Sequence, residues 1–297
     1  MRIAFASGKG GAGKTMLTAA LHRAWPWPHI LVDTDVEAPN LHLFTKPDFK
    51  DSFQVNLKVP QSINSNCTSC GSCRKICRYG AIAQFGKNLK LFPDMCHGCG
   101  GCFAVCGPRA LEEGKRELGQ VKEGRLKDGT LYLSGETRVG EVMTPPLLRQ
   151  LLERLEEHSP KSKLDSYVLV DAPPGVSCPA VTVAKQVDLM VLVVDPSPFG
   201  VADFKLAYAA FKSLDLPLLA VLNRTGIAGT LEGEREVQAF CAEHGVYVIG
   251  NLPFAKDAAK YLAKGVILAD LSIEWMERFR TLAHNLIEKA WQKINGS

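Results

Sequence analysis

Eight cysteines in two runs constrain this chain more than any other feature. The first run is Cys67-x2-Cys70-x2-Cys73-x3-Cys77 and the second is Cys96-x2-Cys99-x2-Cys102-x3-Cys106. Three closely spaced thiolates and a fourth, twice over, are the ligands that two 4Fe–4S clusters need. A structural zinc site made of thiolates usually uses separated Cys pairs, which fits this spacing poorly. With x2, x2, x3 spacing the fourth cysteine of each run is sent to the other cluster. The expected sets are therefore Cys67, Cys70, Cys73 and Cys106 for one cluster, and Cys96, Cys99, Cys102 and Cys77 for the other. His97, inside the second run, reads as a spacer. The segment is also an internal repeat: CTSCGSCRKICRYGAI at 67–82 recurs as CHGCGGCFAVCGPRAL at 96–111.

Around this segment runs a different pattern. Short apolar runs recur at Ile3–Ser7, Ile30–Val32, Tyr167–Val170, Leu189–Val194, Leu218–Leu222 and Val246–Ile249, with Leu131–Leu133 as a further candidate. Helix-like stretches lie between many of them. Strands this continuously apolar are buried on both faces, as in a parallel sheet flanked by helices. The expected fold class is α/β, with a mostly parallel sheet interrupted by a small cysteine-rich insert. Residues 1–59 and 112–297 are expected to form one discontinuous domain and 60–111 the insert. Residues 112–128 are densely and evenly charged, which suggests a solvated return to the main domain.

Charge narrows the partners. The net charge of +4 is too small to argue for nucleic acid. Between Pro60 and Ala110 there are six Lys/Arg and one acid, Asp94. Two oxidised four-thiolate clusters, each formally about −2, nearly cancel that excess. Met1 leads directly into a strand-like run and no apolar stretch reaches the length of a membrane span, so the expected compartment is cytoplasmic and reducing. There, close-set cysteines are metal ligands more often than disulfides.

The nucleotide signal is Gly8-Lys9-Gly10-Gly11-Ala12-Gly13-Lys14-Thr15, which fits G-x4-G-K-[ST] between a strand and a helix. Such a loop wraps phosphates with backbone N–H groups, its Lys14 reaching the β/γ phosphates and its Thr15 holding Mg²⁺. The additional Lys9 makes the K-G-G-x-G-K-T form, which resembles the deviant P-loop of the MinD/ParA/Mrp ATPases, relatives of the nitrogenase iron protein. The resemblance implies a P-loop NTPase fold, ATP with Mg²⁺, and a homodimer, or a heterodimer with a paralogue, formed on ATP binding. It implies that Lys9 reaches the partner's nucleotide, supplying charge in trans. It further implies that Asp35 positions the attacking water. Asp171 would meet Mg²⁺ through water, Gly175 would sense the γ-phosphate, and Asn223 and Pro253 would flank adenine. An Asp at a strand end is also a common helix cap.

The insert resembles bacterial 2×4Fe–4S ferredoxins over about 50 residues. Arg78 follows Cys77 and Gly107 precedes Pro108 after Cys106, where the commonest ferredoxin form has Pro directly. Cys241 reads as a buried apolar residue. Cys178, seven residues after Asp171, stands where the nitrogenase iron protein places a cysteine of its bridging cluster. Residues 273–294 carry apolar positions at helical spacing; their polar face mixes acids and bases, which favours packing on the sheet over a membrane. The expected function is an ATPase that couples nucleotide-driven change to electron transfer, with a redox protein as partner. Assembly or carriage of clusters to a metallocofactor acceptor, and a MinD/ParA-like positioning switch, are the alternatives.

Overall fold

A computed structural model describes residues 1–158 and 166–295. Its strands are β1 (Arg2–Ala6), β2 (His29–Asp33), β3 (Asp48–Ile63), β4 (Ile82–Phe85), β5 (Asn88–Leu91), β6 (Leu111–Arg125), β7 (Leu131–Thr137), β8 (Tyr167–Asp171), β9 (Leu189–Val194), β10 (Leu218–Thr225) and β11 (Tyr247–Pro253). Its helices are α1 (Lys14–Ala24), α2 (His42–Thr45), α3 (Ser72–Ile76), α4 (Gly101–Ala104), α5 (Pro145–His158), α6 (Cys178–Ala184), α7 (Pro198–Lys212), α8 (Leu231–Glu243), α9 (Ala258–Leu262) and α10 (Ile273–Asn295). Each apolar run read from the sequence falls on a strand.

Nine strands form one sheet in the order β11-β10-β9-β1-β8-β2-β7-β6-β3. The strands from β11 to β7 are parallel, and β6 and β3 extend the sheet antiparallel. Side chains alternate between faces along a strand. In β1, Ile3 and Phe5 enter one core with α1 and α10, while Ala4 and Ala6 enter the other with α5, α6, α7 and α8. Both faces are dry, which is why β9 reads as an unbroken apolar run, Leu189–Val194. Phe279, Leu282, Ala283, Leu286 and Ala290 bury the apolar face of α10 on the sheet, as its periodicity predicts. Among the described residues, no helix is long and apolar enough to cross a membrane.

Residues 112–128 depart from expectation. Most of them form β6, not a solvated return. The strand pairs with β3 from end to end, but with β7 only over Gly119–Arg125. The β3–β6 ribbon therefore leaves the sheet and carries residues 64–110 at its far end. A β-bulge marks the exit: Val55 faces Gly119 and Asn56 faces Glu117, leaving Leu118 as the extra residue. Leu118 is buried in the core, and its carbonyl accepts the Arg138 N–H at 2.9 Å. A Cβ on Gly119 would lie 2.1 Å from the Glu136 carbonyl oxygen, so a side chain cannot be fitted there without displacing β7. The sequence-based domain joint at 59/60 lies within β3, and that at 111/112 lies at the start of β6.

Candidate nucleotide site and cysteine module

The phosphate-type loop connects the end of β1 to α1. Gly11 and Gly13 have φ of 81° and 97°, the left-handed region that favours glycine. A Cβ on Gly13 would approach Asn223 Nδ2 to 2.2 Å, and one on Gly8 would approach the Asp203 carbonyl to 2.1 Å. Side chains from β10 hold the loop's carbonyls. Asn223 Nδ2 donates to Ala12 O at 2.8 Å, and Arg224 Nη2 donates to Gly11 O at 2.9 Å, while its Nη1 pairs with Asp195 at 2.9 Å. Gly175 N donates to Ser7 O at 2.9 Å, which seats the loop after β8 against the same turn. The N-terminus of α1 is thereby fixed where an anion binds best.

Behind the loop, carboxylates converge. Thr15 Oγ1 donates to Asp171 Oδ2 at 2.6 Å, and Thr18 Oγ1 reaches Asp171 Oδ1 at 3.4 Å. Thr34 donates both its N–H and its hydroxyl to the Asp171 carbonyl. Asp33, fully buried at the end of β2, accepts the N–H groups of Asp35, Asn40 and Leu41 at 3.0–3.1 Å. It thus pins the segment that carries Asp35. Burial pushes Asp171 up to about 6, against the pull of Lys14 and of the Thr15 hydrogen bond. Burial also raises Asp35 and raises Asp33 well above the usual carboxylate range. Asp35 and Asp171 thus share one buried ammonium, Lys14. That deficit of positive charge suits the Mg²⁺ of a nucleotide, for which the Thr15 hydroxyl and the Asp171 carboxylate could serve as oxygen donors.

Lys9 stands apart from this group, partly exposed, with its ammonium 3.9 Å from Asp203 on α7. On the other side of the loop, Gly13, Met16, Asn223, Arg224, Pro253 and Phe254 line one concavity. The structure therefore brings Asn223 and Pro253 to the loop from the ends of β10 and β11. Asn223 already spends an amide proton on Ala12, and its Oδ1 accepts the Arg224 N–H at 3.0 Å. Sequence reasoning missed Arg224, Thr18 and Thr34. Arg224 had a signal only in its neighbour Asn223; its φ of 60° and its reach to Gly11 are tertiary facts.

The eight run cysteines divide between two concavities. Cys77, Cys96, Cys99 and Cys102 line one of about 390 Å³, walled by Ile76, Tyr79 and Phe103. Cys67, Cys70, Cys73 and Cys106 line the other, of about 330 Å³, walled by Leu89 and Leu111. Short helices α3 and α4 present the middle cysteines, and Gly71 and Gly100 precede them with φ of 77° and 73°. Gly98 N–H points to Cys96 Sγ at 3.4 Å and Ala110 N–H to Cys106 Sγ at 3.2 Å. Such N–H···S contacts stabilise and tune cluster thiolates. Among the described residues, no three Cys, His, Asp or Glu side chains converge as a single metal ion requires. The donor set and the two concavities fit 4Fe–4S clusters. The His97 ring stacks on Tyr79 at 3.7 Å and 7°. Cys241 is buried, its thiol pushed up to about 11 by burial, and Cys178 is exposed at the start of α6.

The profile of the CobQ/CobB/MinD/ParA nucleotide binding domain matches residues 3–268. The chain belongs to this family. It is a MinD/ParA-type P-loop ATPase with a mostly parallel central sheet. An uncharacterized protein of Methanocaldococcus jannaschii is 30% identical over 290 residues, covering 97% of each chain. An iron–sulfur cluster carrier protein of Aquifex aeolicus is 24% identical over 232 residues, covering 72% of this chain and 63% of its own. The septum site-determining protein MinD of Pyrococcus horikoshii, solved with Mg-ADP, superposes with a TM-score of 0.60 at 18% identity, covering 98% of both chains. At that identity the likeness speaks for the MinD/ParA-type fold.

Proposed function

We propose that this ATPase dimerises around Mg·ATP and couples nucleotide turnover to electron transfer through a two-cluster module. The observation that carries the reading is the division of the eight cysteines into two four-thiolate concavities on a ribbon continuous with the ATPase sheet. Two 4Fe–4S clusters held there supply one-electron chemistry at low potential. The chain's own residues do the rest. The loop Gly8–Thr15 and Lys14 bind the phosphates, Thr15 and Asp171 hold Mg²⁺, and Asp35 orients the attacking water. Gly175 follows the γ-phosphate, Asn223 and Pro253 flank the base, and Lys9 leaves Asp203 to reach the partner's nucleotide. The partner for the electrons is a redox protein.

Electron paramagnetic resonance of the reduced holoprotein, with and without Mg·ATP, tests the coupling. A nucleotide-dependent change in the cluster signals or potentials is expected; identical spectra and potentials in both states would sink it. The ligand assignment has its own test. Cys77→Ser should damage the same signal as Cys99→Ser, and Cys106→Ser the same signal as Cys70→Ser, because the fourth ligands are exchanged between runs. Pairing of Cys77 with Cys70 in their effects would overturn the exchange. Lys9→Ala should leave nucleotide binding by the monomer intact and slow hydrolysis in the dimer. Hydrolysis at the wild-type rate in that variant would remove Lys9 from the reaction.

A second reading follows from the Aquifex aeolicus relative, which is named for cluster carriage. There a cluster is cargo instead of relay, and the exposed Cys178 beside the loop after β8 is the accessible thiol nearest the nucleotide site in sequence. Transfer of iron to an apo-acceptor, stimulated by ATP and lost in Cys178→Ala, would favour it.

A further inference from the structure

A buried charge network sits where the β3–β6 ribbon leaves the sheet. Arg116, on β6, is 7% exposed, and its guanidinium pairs with Glu141 at 3.0 Å, a carboxylate whose side chain is fully buried. Arg116 also donates to two backbone carbonyls of the cysteine module, Asp94 O and Cys96 O, each at 3.0 Å. Arg138, just after β7, closes the network by pairing with Asp94 at 2.7 Å and with Glu141 at 3.4 Å. Glu141 accepts the N–H groups of Val142 and Met143 as well, so it belongs firmly to the sheet side. Arg116 Nε–H has no partner among the described residues.

The same network reaches the nucleotide site by a short route. Thr137, the last residue of β7 and the neighbour of Arg138, donates its N–H to the carbonyl of Val36 at 2.8 Å. Val36 follows Asp35 and lies in the segment that Asp33 pins. The contact is tight, since a Cβ on Gly135 would come within 2.6 Å of the Val36 side chain. Residues 35–36 and the end of β7 are thereby tied together, with Arg138 next in the chain. On the module side, Val59, Ala81 and Cys96 pack together, so the Cys96 backbone follows the ribbon as well as Arg116.

We propose that Arg116, Glu141 and Arg138 form the joint through which the nucleotide state of the Asp35 segment is transmitted to the Cys96 loop. They are positioning residues, touching neither nucleotide nor thiolate. A desolvated ion pair is strong only while its geometry is good, so it holds discrete arrangements better than graded ones. The inference rests on the coupled-function reading for its purpose, but the joint itself is defined by protein contacts alone.

Hydrogen exchange of the 94–102 amides in the holoprotein, with and without Mg·ATP, reads the joint without reference to electron flow. Wild-type protein should show a nucleotide-dependent change there. Glu141→Gln should lose that change while keeping the ATPase rate and the iron content. Arg138→Gln, which removes a half-exposed partner and leaves the buried pair in place, should weaken it and serves if Glu141→Gln fails to fold. Arg116→Lys should also weaken it, because an ammonium cannot hold Glu141 and two carbonyls in one plane. A wild-type response that survives unchanged in Arg138→Gln and Glu141→Gln overturns the proposal, as does no wild-type response at 94–102. Iron absent from the holoprotein preparation would instead refute the cluster reading, with the exchange response still reporting on the joint.

Discussion

Replacing Lys14 with Ala is expected to lower Mg·ATP turnover by about a hundredfold to a thousandfold, the usual cost of deleting one preorganised donor from developing charge. The structure adds a second consequence. Lys14 is the cation that holds both Asp35 and Asp171 down against the effect of their burial. Without it, both carboxyls take up protons more readily, so residual nucleotide binding should gain a pH dependence that the wild type lacks at neutral pH. The cysteine module is built from other elements, so iron content should stay at about eight per chain. Loss of iron together with turnover would mean that the ATPase sheet and the module fold as one unit.

Asp171→Asn is expected to stabilise the nucleotide-free protein above pH 6 while ending Mg²⁺-dependent hydrolysis. Burial raises this carboxyl from 3.8 to about 6 in the folded chain. Its protonated form therefore favours folding: the contribution is fully present below 3.8 and is lost as pH rises through about 6. His22 works in the opposite sense, since burial lowers it to about 4 and charging it costs stability as pH falls. The informative quantity is thus the difference between Asp171→Asn and wild type in chemical denaturation from pH 4 to pH 8. That difference should grow through the window and level off above pH 6. A difference independent of pH would show that Asp171 is not a protonatable buried acid. Saturating Mg·ATP should erase the variant's advantage, because the metal stabilises only the wild-type carboxylate.

The parallel strands and the loop–helix turn were legible because their signals are local. A buried strand such as β9 is apolar throughout, and a G-x4-G-K-T turn has few structural meanings. The positions of Asp171, Asn223 and Pro253 near the loop were reachable only through resemblance, since strand ends from 156 to 238 residues away meet there by sheet order. The ribbon was invisible. In β6, Glu112, Glu113, Lys115, Arg116 and Glu117 crowd a stretch that shows no apolar period, because beyond the bulge most of its side chains stay exposed or only partly buried on both faces of the ribbon. Arg116 looked like one more solvated charge. Its burial depends on Glu141 and on the Asp94 and Cys96 carbonyls, contacts of long sequence separation that no window around residue 116 contains.

The bulged exit of the ribbon makes the chain a lever. Eight residues of β6, Leu111–Leu118, extend beyond the last pairing with β7. At about 3.3 Å per residue that is an arm of roughly 25 Å, so a tilt of about 10° at the bulge swings its tip by about 4 Å. A small rotation at the bulge would thereby become a displacement comparable to a side chain's length at the cysteines. Arm length is then itself a specified quantity. Deleting one residue from each strand would turn the module's mounting face over, because side chains alternate with a period of two, whereas deleting two would only shorten its throw.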